Sequence, residues 1–154
     1  MRRQQAQLGP DEVRTDGDFD RVSVPDRDAD VLRDLLLAER PQVVIEIGLA
    51  YGSSALAIAE TLVSQGTDNP QHVIIDAFQD QFHDAGWNAI ITAGVADICS
   101  LMPERSQLAL PRLLADRFVA DAAFVDGSHI FHNVFVDLFF PPRTRTPRRT
   151  GHPR

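Results

Sequence analysis

Carboxylates beside glycines at the end of a strand make a ligand site of a particular kind: the acid accepts hydrogen bonds from hydroxyl or ammonium groups, and the glycines let backbone N–H groups come close. The segment Val43-Val-Ile-Glu-Ile-Gly-Leu-Ala-Tyr-Gly-Ser-Ser holds that combination, with Glu46, Gly48 and Gly52 between an apolar run and a helical pattern. The start of that helix adds free N–H groups. Asp76 closes a second apolar run, His72-Val-Ile-Ile-Asp, where a carboxylate can accept both hydroxyls of a ribose. A third acid, Asp126, stands in Phe124-Val-Asp-Gly-Ser-His and is followed by His129, a side chain whose ordinary pKa of about 6.5 suits proton transfer near neutrality. His132 follows three residues on and can share its face in a helix.

Three nucleotide-type sites compete for the glycine loop. A dinucleotide fingerprint needs G-x-G-x-x-G, whereas Gly48 and Gly52 are separated by three residues and no third glycine follows. A phosphate-cradling loop needs Lys before Ser or Thr, and the chain contains no Lys. Glu46 would repel a pyrophosphate yet accept hydrogen bonds from an ammonium or a hydroxyl. A nicotinamide-dependent protein is therefore the disfavoured alternative for this loop.

The elements that must position these groups alternate along the chain. Leu32, Leu35 and Leu36 recur at helical spacing from Asp28 until Pro41. Residues 43–47 read as a strand rich in β-branched side chains, 53–65 as a helix with Ala55, Ile58, Ala59 and Leu62 on one face, and 72–77 as a second strand. Strand, helix and strand at this spacing form the βαβ unit of a parallel sheet. A third strand is predicted over 97–102, a helix over 107–116 and a fourth strand over 122–126, before a last helix with Phe131, Val134, Phe135 and Leu138 on its apolar face. Residues 1–27 read as a polar arm with too little apolar surface to offset its ordering, and 141–154 as a disordered tail of Arg, Pro and Thr with Gly and His.

Composition narrows the partners. The chain has 154 residues, 15 Arg and 22 acids, every acid lying at or before Asp137. Through Phe140 ten Arg face those 22 acids, a net −12, and the tail adds +5. Such a surface repels nucleic acid and anionic membrane, and no apolar run is long enough to span a bilayer. The single Cys99 excludes an internal disulfide and reads as a small buried hydrophobe. A soluble cytoplasmic protein is expected.

Taken in order, E-x-G-x-x-x-G from Glu46, Asp76-Ala-Phe-Gln, and Asp126-Gly-Ser-His with Asp137 beyond it resemble class I S-adenosylmethionine-dependent methyltransferases, and within them the small enzymes grouped with catechol-type and sugar O-methyltransferases. The resemblance covers residues 28–140. It implies an α/β fold: a Rossmann-like parallel sheet with helices on both faces, here incomplete at about four strands in the order three, two, one, four. It also implies S-adenosylmethionine as cofactor, held by Glu46, Gly48, Tyr51, Gly52, Ser53 and Asp76, with adenine near Phe78 and Ser106. Asp126 is then either a cofactor-side acceptor or a ligand for a divalent cation such as Mg²⁺. His129 is the expected base toward the hydroxyl of a small-molecule acceptor, the alternative being that it caps the helix or hydrogen-bonds the strand end. Trp87 either covers the pocket or closes the local core.

Relatives of this fold continue with a fifth strand, and none is found after Phe140. The chain therefore reads as a truncated or frame-shifted methyltransferase, with the fourth strand left as an edge through which copies of the chain could pair. A cofactor-binding remnant or partner subunit without activity is the non-enzymatic alternative.

Overall fold

A computed structural model describes residues 19–127 and Asp137. The helix expected around Phe131 lies outside the described residues apart from Asp137, which is helical and buried. His129, His132 and the tail 141–154 also lie outside them.

The elements run α1 (Phe19–Val22), α2 (Asp26–Glu39), β1 (Val43–Ile47), α3 (Ser53–Ser64), β2 (Gln71–Ile75), a 3₁₀ turn (Gln79–Phe82), α4 (Ala85–Thr92), a second 3₁₀ turn (Ala96–Ile98), β3 (Cys99–Met102), α5 (Ser106–Ala115) and β4 (Ala122–Val125). The four strands form one parallel sheet in the order β3-β2-β1-β4. This is the Rossmann-like α/β fold and the strand order expected from the sequence. Among the described residues no helix is long and apolar enough to cross a membrane.

Strand alternation divides the core. Val43, Ile45, Ile47, Val73 and Ile75 point to the face covered by Ala109 and Leu110 of α5. Val44 and Ile74 point to the opposite face, under Ile58 and Leu62 of α3, Leu36 of α2 and Ile90 of α4. All five residues of β1 are buried, as a strand covered by helices on both sides requires. The ladder continues past the strand ends: Gly48 N–H donates to Ile75 O at 2.9 Å and Asp126 N–H to Ile47 O at 2.9 Å. Those two bonds bring the tips of β1, β2 and β4 together, where ligands of open α/β sheets bind.

Two departures from expectation affect the site. Helix α4 was not anticipated, because Gly86 and Asn88 interrupt its apolar pattern, yet Gly86 is what lets it approach. A Cβ there would stand 2.5 Å from Ala50 O and 2.8 Å from Leu49 Cγ. The other departure is at the N-terminus. Residues 19–24, assigned to a loose polar arm, fold against the site, with the Phe19 ring 5.2 Å from that of Tyr51. Phe19, Val22 and Val24, three apolar side chains just after an acidic run, were the available signal.

Candidate active site

Where the strands end, a cavity of about 520 Å³ opens, lined by the 47–54 loop, Ile75 to Phe78, Glu104 to Gln107, Asp126, Gly127, Gln81 and Phe82, and by Arg21, Val22 and Val24 of the N-terminal segment. That volume suits a nucleoside-sized ligand. Of the candidate residues, Gly48, Tyr51, Gly52, Ser53, Asp76, Phe78, Ser106 and Asp126 all line it.

Asp76 is the anchor. Its Oδ2 accepts from Leu49 N–H at 2.8 Å, Ala50 N–H at 3.0 Å and Gln79 Nε2 at 3.0 Å. Among the described residues its Oδ1 accepts only from Phe78 N–H, at 2.7 Å, which leaves acceptor capacity on that oxygen. The carboxylate thus fastens the glycine loop to the tip of β2. Gln79, the last residue of Asp76-Ala-Phe-Gln and given no role of its own by the sequence, braces the same corner by donating to Ala50 O at 3.0 Å.

The glycines are there for space. Gly48 has φ +96°, and a Cβ would fall 2.4 Å from Asp126 O and 2.9 Å from Gly127 Cα, both backbone atoms of the next strand tip. Gly52 starts α3 at φ +85°, and no side chain caps that helix. Ser53, one residue on, has its hydroxyl buried without a hydrogen-bond partner among the described residues, and the residue lines the cavity.

Glu46 departs from expectation. Its side chain is fully buried and does not line the cavity. With Val44 it lies on the α3 face of the sheet, one residue short of the tip, so the carboxylate points under the helix and not out of the strand end. There Ser54 Oγ donates to Glu46 Oε1 at 2.5 Å, and Glu46 Oε2 stands 2.9 Å from His72 Nε2. The second contact is close but out of line for a hydrogen bond, so its attraction is electrostatic. Ser54 lines the cavity and is the only link from Glu46 to it among these contacts.

The remaining candidates divide. Tyr51 is buried, its ring 5.1 Å from Phe82 and tilted against Phe19 on the other side. Phe78 is 40 % exposed and carries the Arg105 guanidinium 5.4 Å above its ring. Ser106 begins α5 at the cavity wall. Trp87 packs against the cluster of Leu49, Leu56 and Ile90 and does not line the cavity, so it closes the local core. Among the described residues no three His, Cys, Asp or Glu side chains converge to hold a metal ion.

Cys99 flanks this corner. Burial, and then the negative charge of Glu46, push its thiol up to about 12. At pH 8 it should react with iodoacetamide on the order of 10³-fold more slowly than an ordinary thiol, since the thiolate is the nucleophile. Mass spectrometry with and without urea checks this; labelling of the folded chain at the rate of free cysteine would contradict it. Because folding raises this pKa from 9.0, the fold holds the thiol proton more tightly than the unfolded chain, and stability declines as pH rises from about 9 toward about 12.

Comparison with known proteins agrees with this geometry. Residues 45–141 match the sequence model of a family described as a methyltransferase domain. No curated protein sequence matches the chain. Among solved structures, the O-methyltransferase TomG of Streptomyces achromogenes, in complex with S-adenosylmethionine, superposes with TM-score 0.71 at 21% identity, over 94% of this chain and 60% of its own. An O-methyltransferase of Bacillus cereus in complex with S-adenosylhomocysteine gives 0.66 at 15% identity, over 92% and 62%. The S-adenosylhomocysteine-bound methyltransferase PaMTH1 of Podospora anserina gives 0.63 at 22% identity, over 88% and 59%. The chain spans about three fifths of the length of these relatives. With that family model matching more than half of its residues, and this fold shared with the solved methyltransferases, the chain belongs to the methyltransferase-domain family.

Proposed function

We propose that this cleft binds S-adenosylmethionine and that the protein transfers its methyl group to a hydroxyl of a small molecule. One observation carries the reading: Asp76, fastened to the glycine loop by two loop N–H groups, shares a single cavity with that loop and keeps acceptor capacity on Oδ1. That is the arrangement a ribose needs. The groups around it fit the rest of the cofactor. Gly48 and Gly52 leave room that a Cβ would fill, the orphaned Ser53 hydroxyl suits the amino acid end, and Phe78 with Ser106 suits the adenine. The lining holds three acids, Asp76, Glu104 and Asp126, against Arg21 and Arg105, a net charge of −1 that suits a cationic ligand.

When bound, the cofactor supplies an electrophilic methyl group on a sulfonium. The protein's part is to hold two reactants in line and exclude water. Val22, Val24, Tyr51 and Phe82 provide apolar wall for that purpose. The acceptor hydroxyl must lose its proton, and the base we assign is His129, two residues beyond Gly127 of the cavity wall. Asp126, on the same wall, takes the cofactor-side acceptor role. The O-methyltransferase neighbours support a hydroxyl acceptor over other nucleophiles.

Titration calorimetry tests the cofactor: S-adenosylmethionine is expected to bind with micromolar affinity and NAD not at all. Binding of NAD alone would restore the nicotinamide reading. Radiolabelled methyl transfer to a panel of phenols, catechols and sugars tests the reaction. Since the chain spans about 60% of TomG, cofactor binding without transfer to any hydroxyl would assign it a cofactor-binding role only.

A further inference from the structure

Beneath the cleft, on the α3 face of the sheet, polar side chains run from the cavity wall into the core. Ser54 lines the cavity and donates its hydroxyl hydrogen to Glu46 Oε1. Glu46 Oε2 lies 2.9 Å from His72 Nε2, with both side chains 0% exposed. His72 Nδ1 lies 3.8 Å from Cys99 Sγ, and the register places His72 beside both Val44 and Cys99 in the ladder. At 2.9 Å but out of line for a hydrogen bond, the carboxylate attracts the Nε2 edge of the ring electrostatically, which favours the tautomer with its hydrogen on Nε2. Nδ1 is then left as acceptor for a thiol that burial and Glu46 keep protonated.

The packing of a parallel sheet gives no reason for such a row. Branched aliphatic residues fill the neighbouring positions Val44, Val73 and Ile74, and a buried carboxylate with a buried imidazole costs desolvation that aliphatic residues would not. What the row does is set one hydrogen. A hydroxyl has a single hydrogen to give, and with it committed to Glu46 the Ser54 oxygen can offer the cavity lone pairs only. Its neighbour Ser53 has no such partner among the described residues and keeps a hydrogen to give. The end of the cleft beside α3 is thereby divided into an acceptor at Ser54 and a donor at Ser53, a pair that matches the ammonium and the carboxylate of an α-amino acid group.

We propose that His72 is a positioning residue for recognition of the ligand's ammonium group, acting through Glu46 and Ser54. The imidazole fixes the Glu46 carboxylate, Glu46 orients the Ser54 hydroxyl, and Ser54 accepts from the ammonium. This rests on reading the cleft as an S-adenosylmethionine site. It gives Glu46 an indirect role, where the strand end had suggested direct contact.

The test compares three ligands on the whole chain by calorimetry at pH 7: S-adenosylhomocysteine, decarboxylated S-adenosylmethionine, which keeps an ammonium without the carboxylate, and 5′-methylthioadenosine, which has neither. His72→Leu is expected to weaken the first two about tenfold and to leave 5′-methylthioadenosine within about twofold. Ser54→Ala should produce the same selective loss, and His72→Leu added to it should cost nothing further. His72→Gln, which can place an amide N–H where Nε2 stands, should restore wild-type affinity, whereas His72→Asn, too short to do so, should not. If His72→Leu fails to fold, the Gln and Asn pair decides. Equal losses for all three ligands would show a merely structural role and overturn the proposal, as would unchanged affinity in His72→Leu, or in His72→Asn. If wild type binds none of the three, the cofactor reading of the cleft falls and this proposal with it; if wild type binds them and only the selectivity is missing, the cofactor reading stands alone.

Discussion

Replacing Asp76 by alanine is expected to remove about 3–5 kcal/mol of stability and to weaken S-adenosylmethionine binding by about 100-fold or more. The stability loss comes from the donors it abandons. Three backbone N–H groups, of Leu49, Ala50 and Phe78, and the amide of Gln79 converge on this one carboxylate. Asp76 is only 7% exposed, so water cannot replace it at each donor, and a buried donor left unpaired costs about 1–3 kcal/mol. Binding is lost for two reasons at once. The ribose acceptor disappears, and the glycine loop loses the tie that holds it against β2. Asp76→Asn separates them: the amide keeps an oxygen for some of the donors, so stability should fall less while affinity still drops. Urea denaturation and calorimetry on the two variants check this, and an Asp76→Ala protein with wild-type stability and affinity would remove the basis of the proposed cofactor site.

The second large effect is at Gly48. Gly48→Ala should cost about 3 kcal/mol or more, measured as a fall in the urea midpoint at unchanged slope. A methyl group there would sit 2.4 Å from Asp126 O and 2.8 Å from Asp126 C, and backbone atoms in a hydrogen-bonded ladder have nowhere to go. The tips of β1 and β4 would have to separate, opening the cavity floor. Gly66→Ala is the control. It too has a positive φ, of +61°, but nothing lies within 4 Å of its added Cβ, so only the backbone preference is lost, about 1 kcal/mol. Similar losses at the two sites would mean that conformational freedom, and not the close approach of two strand tips, explains Gly48.

Much of this site was legible from residue order. The apolar run of β1, the helical face of α3 and the second run ending at Asp76 have unmistakable periods, and they place Gly48, Gly52 and Asp76 at neighbouring tips whatever the rest of the chain does. The weaker elements were harder. Helix α4 has Gly86 where a helix former would be expected, because the loop backbone at Ala50 leaves room for nothing larger. The short α1 has no length over which a period can show, yet Phe19 packs on Tyr51 and so places Arg21, Val22 and Val24 at the cavity.

Residue types and spacing were enough by themselves for the alternating α/β plan and the acid on β2, and three short motifs in a set order carried the resemblance that implied the family and the strand order, since each depends on patterns a few residues long. Which way Glu46 faces, that His72 and Ser54 are its partners, and that Arg21, Val22 and Val24 of the N-terminal segment wall the cleft were decided only in three dimensions. The reason is geometric. A period tells which side chains share a face, but a buried charge takes its partners from whichever elements packing brings within about 3 Å, and Glu46, Ser54 and His72 come from three different ones.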